Sequence, residues 1–148
     1  MTLGQTELGL YHVKKALSYD PDNPCYHYLL GFVHYIRYEW ENAVQEYKLA
    51  LDREPWNREY LRSLGTAIFN AGDKKTGLQY LREVAPLYPD NSGMLTELAT
   101  AYMTMGDIEN ARLYAEKAVA TRPDDIMALA VLKKTYVLGT RPGNVTTS

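Results

Sequence analysis

The residues of this chain best suited to chemistry are two histidines and a cysteine that lie close together. His27 and His34 are seven residues apart, and Cys25 precedes His27 by two. A spacing of seven on a helix places both imidazoles on one face, which is expected to pack against another helix, whereas Cys25 falls on a different face. A zinc site would need a third and a fourth ligand converging on the two imidazoles. We therefore predict half-buried packing histidines and no metal site.

The sequence contains no motif that indicates catalysis. It has no H-E-x-x-H, no glycine-rich phosphate loop and no nucleophile elbow. The remaining histidine, His12, has no evident acid or nucleophile beside it. Glu59 and Glu97 are candidates for a carboxylate pair, but they lie in different segments and only Glu59 is expected to face a binding surface. We predict a protein that is not an enzyme and that binds no cofactor.

Composition narrows the classes of partner. The 148 residues include 16 basic and 18 acidic side chains, which gives a formal net charge of −2. A chain without excess positive charge is not expected to bind nucleic acid or an anionic membrane. No apolar run approaches the roughly 20 residues that span a bilayer, and the N-terminus lacks the features of a signal peptide. A single cysteine cannot form an internal disulfide. These features predict a cytoplasmic protein whose partner is another protein.

The elements that position these residues repeat along the chain. Pro21, Pro55, Pro89 and Pro123 follow one another at intervals of 34 residues. A small apolar residue stands five positions before each proline, and further small residues recur at the same interval. These columns are Ala16, Ala50, Val84 and Ala118; Gly31, Gly65 and Ala99; and Gly9, Ala43, Gly77 and Ala111.

Each 34-residue unit has the signals of two helices. Asn57 and Ser92 are expected N-caps of the first helix, and Asn23-Pro24 marks its start in another unit. Gly72-Asp73 and Gly106-Asp107 supply a turn in the middle of the unit, followed by the cap of the second helix. Tyr38 occupies this turn position in its own unit, which predicts an altered or longer turn there. Pro86 predicts a kink or early end of its helix.

These columns resemble the tetratricopeptide repeat, whose signature is W-x2-L-G-x2-Y, then A-x3-F, then P. Leu30-Gly31 and Leu64-Gly65 match the L-G of this signature, and Pro55 and Pro89 match its final proline. The aromatic residue that opens the signature is absent. The resemblance implies an all-α, right-handed α-solenoid of about 3.5–4 repeats with eight helices. We expect a half repeat over 1–23, repeats over 24–57, 58–91 and 92–125, a terminal helix over 126–139 and a disordered tail over 140–148.

The resemblance also implies a concave groove that binds an extended peptide or a helix of another protein. A clamp of lysines and asparagines, which chaperone-docking members of the family use, is absent. Aromatic residues dominate one end of the expected groove, threonines its middle, and Arg62 is the candidate for holding a carboxylate of the partner. The predicted groove residues are Tyr28, Phe32, Tyr35, Glu59, Arg62, Thr66, Phe69, Asn70, Thr96, Thr100, Met103 and Lys134.

Three alternatives to this groove remain open. The aromatic residues of the first repeat can instead pack between successive units. A secretion-type chaperone, which has a similar fold, would bind an exported protein. Self-assembly is the third: the first helix lacks its expected partner, as does the last, so one chain's end could dock on another's start as a head-to-tail homo-oligomer. Lys133 opposes this alternative, because its column otherwise holds Gly31, Gly65 and Ala99.

Overall fold

The computed structural model describes residues 2–139, which form eight α-helices and one short 3-10 helix. No strand occurs in this range, so the predicted all-α fold with eight helices is confirmed. The predicted tail, 140–148, lies outside the described residues. In chain order the helices are α1 (Leu3–Tyr19), α2 (Pro24–Ile36), α3 (Trp40–Arg53), α4 (Arg58–Ala71), α5 (Lys74–Val84), the 3-10 helix (Ala85–Leu87), α6 (Ser92–Thr104), α7 (Ile108–Thr121) and α8 (Ile126–Gly139).

Asparagine side chains determine where several helices begin. Those of Asn23 and Asn57 accept hydrogen bonds from backbone N–H groups in the first turns of α2 and α4. Such caps satisfy donors that have no partner within the helix. The predicted cap of α6, Ser92, is wrong by one residue, because Asn91 accepts from Met94 N instead. Ser92 Oγ donates to Asp125 Oδ2 at 2.6 Å and so ties the start of α6 to the start of α8.

The turn between paired helices uses a left-handed residue in all three pairs. Gly72 and Gly106 have φ of 115° and 82°, and Tyr38 has φ of 61° at the equivalent position. The turn at Tyr38, predicted to be altered or longer, has three residues between α2 and α3, one more than between α4 and α5 and as many as between α6 and α7. A side chain in this conformation costs about 1–2 kcal/mol. The edge-on contact of the Tyr38 ring with Trp40, at 5.3 Å, offsets part of that cost.

The predicted early end of the helix at Pro86 is confirmed. Helix α5 ends at Val84 after 11 residues, whereas α3 and α7 have 14 each. Pro86 lies in the 3-10 segment that follows, where it lacks the N–H that the α-helical pattern would require.

The chain divides into two compact units, here called unit 1, which ends at Val84, and unit 2, which begins at Ala85. Within unit 1, α2 packs on α3, α4 packs on α5, and α3 lies against α4. Glycine permits the close approach. A Cβ atom at Gly31 would lie 2.6 Å from Cε1 of Tyr47, and one at Gly77 would lie 2.5 Å from the backbone N of Phe69. A methyl group fits in neither position without displacing its neighbour.

Within unit 2, α6 packs on α7, and α8 contacts both. Ala99 of α6 and Ala115 of α7 are fully buried and form a cluster with Val131 of α8. Met94 and Leu98, also on α6, are fully buried as well. Small side chains, two alanines and a valine, therefore fill the contact between these three helices.

Candidate functional site

The predicted binding residues of unit 1 form two rows, one on α2 and one on α4. The α2 row is Tyr28, Phe32 and Tyr35, which share a helix face because they lie one turn apart. Tyr28 is half-buried, and its ring stacks on Tyr60 of α4 with centroids 4.9 Å apart. The same ring lies 5.6 Å from that of Tyr47 in α3. Burial raises the pKa of Tyr60, so the hydroxyl of Tyr60 stays uncharged near neutral pH.

Tyr35, at the other end of the α2 row, is held by two contacts. Its hydroxyl accepts a hydrogen bond from Asn70 Nδ2 of α4 at 3.0 Å. Its ring meets that of Trp40 edge-on, with centroids 5.0 Å apart. Tyr28 and Tyr35 therefore both join α2 to α4, and their orientation is fixed by the fold.

Phe32, the middle member of the α2 row, is 42% exposed. Sequence reasoning missed Leu29, which is also exposed on α2, one turn before Phe32. Its spacing of four from Cys25, which is exposed as well, is the signal that could have found it. The exposed apolar surface of α2 thus centres on Phe32 and extends along the helix to Leu29.

The α4 row contains polar residues and one buried ring. Glu59 and Asn70 are exposed, and Arg62 is half-buried. The Thr66 hydroxyl donates to the carbonyl oxygen of Arg62 at 3.0 Å, so its proton is used within the helix. Phe69 is buried, and Lys74 Nζ lies 4.4 Å from the centre of its ring. The exposed part of this row is therefore polar.

The other four predicted residues lie in unit 2. Thr96 is buried, and its Oγ1 has no hydrogen-bond partner among residues 2–139. The Thr100 hydroxyl, which is exposed, donates to the Thr96 carbonyl oxygen at 2.8 Å. Met103 is half-buried against the alanine cluster, and Lys134 is exposed. The threonine hydroxyls thus bond their own helix or are buried.

The histidines of α2 are structural links. His27 is half-buried, with Nδ1 2.7 Å from Glu46 Oε2 and Nε2 2.7 Å from the carbonyl oxygen of Pro21. His34 is bonded to the carboxylate of Glu39. That hydrogen bond is the largest cause that lowers the pKa of Glu39, and Arg37 adds to it. No group of three or more metal-ligating side chains is assembled anywhere in residues 2–139.

A small cavity of about 210 Å³ lies in unit 1. Asp22, His27, Leu49, Asp52 and Arg53 line it, and Arg53 forms an ion pair with Asp22 at 2.8 Å. Its lining includes none of the predicted groove residues.

Comparison with known proteins identifies the repeat. A family model described as tetratricopeptide repeat matches residues 92–125. None of the curated proteins is similar enough in sequence to count as a match. No helix within residues 2–139 has both the length and the apolar character needed to cross a bilayer.

Solved structures share the fold over most of the chain. The crystal structure of MamA has 22% sequence identity and a TM-score of 0.78, covering 90% of this chain and 78% of that one. A chain of the APC/C hetero-tetramer Cut9-Hcn1 has 20% identity and a TM-score of 0.80, covering 90% of this chain and 27% of that one. The Sgt2 TPR domain from Aspergillus fumigatus has 21% identity and a TM-score of 0.69, and the match covers 77% of each chain. At these identities the likeness is one of fold.

Proposed function

We propose that this chain is a non-enzymatic scaffold whose α2 and α4 rows in unit 1 bind a segment of another protein. Residues 92–125 match the tetratricopeptide repeat, and the fold of the chain is shared with proteins of that kind. Such repeats generally mediate contacts between proteins, and a chain with this fold occurs in the Cut9-Hcn1 hetero-tetramer. The proposal keeps the repeat boundaries predicted above. It also keeps a cytoplasmic location, which the single cysteine favours.

The observation that carries the proposal is the exposure of Phe32 between two fixed rings. Tyr28 is stacked on Tyr60, and the Tyr35 hydroxyl is bonded to Asn70. These two side chains are therefore already ordered and lose little conformational entropy when a partner binds. A rigid aromatic surface binds more tightly than a mobile one, because less conformational entropy is lost. An apolar side chain of the partner would pack on Phe32 and Leu29.

The α4 row supplies polar groups beside this apolar surface. Arg62 provides a cation for a carboxylate of the partner, and Asn70 an amide for its backbone. Glu59, which is exposed three residues before Arg62, disfavours a strongly acidic segment. The segment expected here is therefore extended or helical, has an apolar anchor, and carries isolated acidic residues.

The predicted residues of unit 2 lie outside the two rows and are described by themselves. Thr100 presents its methyl group and oxygen lone pairs, since its proton is donated to the helix. Lys134 is an exposed cation, and Met103 offers a half-buried thioether. Phe69 and Thr96 are buried and act only by supporting neighbouring residues.

Selection of peptides from a random displayed library on the immobilised protein tests the proposal. Phe32→Ala should weaken binding of the selected peptides by about tenfold or more, as loss of an interface anchor does. Leu49→Ala is the matched control, because Leu49 is 43% exposed, also in unit 1, but on α3. This control should change affinity less than about twofold.

A second variant, Arg62→Glu, should bind selected peptides that carry a carboxylate more weakly than the parent protein does. Circular dichroism establishes that each variant keeps its helices. If Phe32→Ala and Arg62→Glu both bind the peptides as the parent protein does, the two rows are not the binding site. Equal losses for Phe32→Ala and Leu49→Ala would lead to the same conclusion.

A further inference from the structure

The cavity of unit 1 is formed by three parts of the chain. Asp22 lines it from the loop between α1 and α2, His27 from α2, and Leu49, Asp52 and Arg53 from the last turns of α3. Its volume of about 210 Å³ is below the 300–1,000 Å³ or so that cofactors and drug-sized ligands occupy. The cavity therefore has the size to hold one side chain of a partner.

His27 is not available to such a ligand. Its Nδ1 lies 2.7 Å from Glu46 Oε2, and its Nε2 lies 2.7 Å from the carbonyl oxygen of Pro21. Both ring nitrogens are thus used within the protein, as is one carboxylate oxygen of Glu46. Polar groups of a ligand must bind to the other lining residues.

The polar groups that remain favour a cation. Asp22 Oδ1 lies 2.8 Å from Arg53 Nη2, so the one guanidinium of the lining is already paired. The carboxylate of Asp52 has no hydrogen bond or ion pair with any residue in the range 2–139. An anion would be repelled by this unpaired charge, whereas a cation would be attracted to it. The cavity therefore selects a positively charged side chain.

The same sign of charge extends over the two loops beside the cavity. Segments 20–23 and 52–57 contain four carboxylates and one cation, which are Asp20, Asp22, Asp52, Glu54 and Arg53. The asparagines that cap α2 and α4 donate to Asp20 and Glu54 at 2.9 Å, which orients these carboxylates without neutralising them. A local excess of negative charge attracts a basic segment, although the net charge of the whole chain is only −2.

Trp56, in the second of these loops, adds an aromatic surface. It is 90% exposed, and its indole contacts no other ring and no cation in the described part of the chain. The residue that follows each of the other three recurring prolines is an aspartate, so the turn itself does not require a large ring. Trp56 follows Arg53 by three residues, which places their Cα atoms at most about 11 Å apart. An exposed indole beside an acidic cavity suits a cationic side chain.

We propose that this edge of unit 1, formed by the cavity and Trp56, binds an arginine-bearing basic segment of another protein. One guanidinium enters the cavity and donates to the carboxylate of Asp52. A second, about three residues away in an extended segment, stacks on Trp56. Arginine suits both contacts better than lysine, because its planar guanidinium forms paired hydrogen bonds to a carboxylate and stacks on an indole.

Nuclear magnetic resonance of the full chain tests the proposal, because the chain has two tryptophans and therefore two indole N–H signals. Trp56 reports on this edge. Trp40 contacts Tyr35 of the α2 row and reports on the binding site proposed above. The probe is the peptide Gly-Arg-Ser-Gly-Arg-Gly, and its matched control has neutral citrulline in place of both arginines.

The arginine peptide should shift the Trp56 signal and leave that of Trp40 in place. We expect a Kd of about 0.1–1 mM, since each exposed ion pair contributes little, and weaker binding as salt is added. The citrulline peptide should shift neither signal.

Two variants and two matched controls locate the contact. Asp52→Asn should weaken binding about fivefold. Glu41→Gln removes the same charge from the same helix, but about 16 Å away and beyond the screening length of about 8 Å, and should change affinity less than about twofold. Trp56→Ala, followed through the backbone signals of the cavity lining, should weaken binding about threefold. Tyr38→Ala, at 78% exposure in the turn at the other end of α3, should not.

Four outcomes would overturn the proposal. The first is a Trp56 signal that stays in place up to about 5 mM arginine peptide. The second is equal binding of the citrulline peptide, which would exclude charge as the cause. The third is an equal loss for Asp52→Asn and Glu41→Gln, which would indicate attraction to the overall charge of the protein. The fourth is a shift of Trp40 alone, which would locate the peptide at the α2 row.

The two proposals fail independently. Peptides bound at the α2 and α4 rows depend on Phe32 and shift Trp40, whereas those bound at this edge depend on Asp52 and shift Trp56. Loss of either dependence leaves the other result unaffected.

Discussion

Units 1 and 2 solve the same packing problem with different side chains. In unit 1, Gly31 of α2 faces the large ring of Tyr47 in α3. In unit 2, the corresponding positions are Ala99 of α6 and Ala115 of α7, and all four residues are buried. A large ring facing a glycine and two alanines facing each other are therefore both buried arrangements that let paired helices approach closely.

The same choice changes the surface that each unit presents. In unit 1, ring stacking joins α2 to α4 through Tyr28 and Tyr60, so aromatic side chains reach the face proposed to bind partners. In unit 2, ring stacking joins Tyr102 to Tyr114, which lie on the paired helices α6 and α7, with centroids 5.5 Å apart. The corresponding face of α6 then carries threonines. The way a repeat distributes its rings thus decides what it offers for recognition.

The largest expected effect tests the close approach in unit 1. Gly77→Ala should lower the free energy of unfolding by about 2–3 kcal/mol, although alanine favours the helix, because its methyl would meet the Phe69 backbone. Urea denaturation measures the change. Gly4→Ala is the control and should raise stability by up to about 1 kcal/mol, since its Cβ meets nothing within 4 Å. Equal effects of the two changes would show that the helices of unit 1 can separate without cost.

The second prediction concerns the turn between paired helices. Gly106→Ala should cost about 1–2 kcal/mol, because φ at Gly106 is 82°. Tyr38→Gly removes the same strain from unit 1, where φ is 61°, but also removes the ring contact with Trp40. Its net gain should be below about 1 kcal/mol. Thermal denaturation of the two variants would contradict this account if Tyr38→Gly were the more destabilising.

The third prediction compares two buried threonines of unit 2. Thr96→Val should raise stability by about 1 kcal/mol, since Oγ1 of Thr96 is buried without a partner in the described part of the chain. Thr135→Val should lower stability by a similar amount of about 1 kcal/mol, because Oγ1 of Thr135 donates to the Leu132 carbonyl at 2.6 Å. The free energy of unfolding is measured with urea. A change in the same direction for both variants would exclude the Thr135 hydrogen bond as the source of the difference between them.

The smallest effect is the response to acid. In unit 2, the hydrogen bond from Ser92, followed by that from Ala128 N, lowers the pKa of Asp125 below its ordinary value of 3.8. In unit 1, hydrogen bonds from the Thr76 side chain and then its backbone lower the pKa of Asp73. A lowered pKa in the folded state stabilises the protein above the unfolded-state pKa, and this stability is lost as the pH falls through the folded-state pKa.

Asp125→Asn should therefore reduce the loss of stability between pH 6 and acid below 3.8. Urea midpoints at the two pH values, measured for the variant and the parent, provide the comparison. Asp73→Asn tests whether unit 1 responds in the same way. An unchanged acid response in both variants would show that these caps do not contribute to it.

Much of the fold was predictable because its signals are local. The prolines at intervals of 34 residues, the glycines at the turns and the asparagines at the helix starts each act on the few residues around them. The error at the start of α6 was also local, because two residues that can cap a helix, Asn91 and Ser92, stand side by side. Helix existence is thus decided by short-range chemistry, while details at helix ends depend on competing partners.

The sequence by itself determined that the chain is a helical repeat and which residues share a helix face. Only the tertiary structure decided which of those residues reach the surface. Phe32 and Phe69 were both predicted to line the groove, yet Phe32 is exposed and Phe69 is buried. Gly77 lets α5 approach the Phe69 backbone, and Lys74 covers the ring. Exposure depends on how closely a second helix approaches, and residues on that second helix determine this distance.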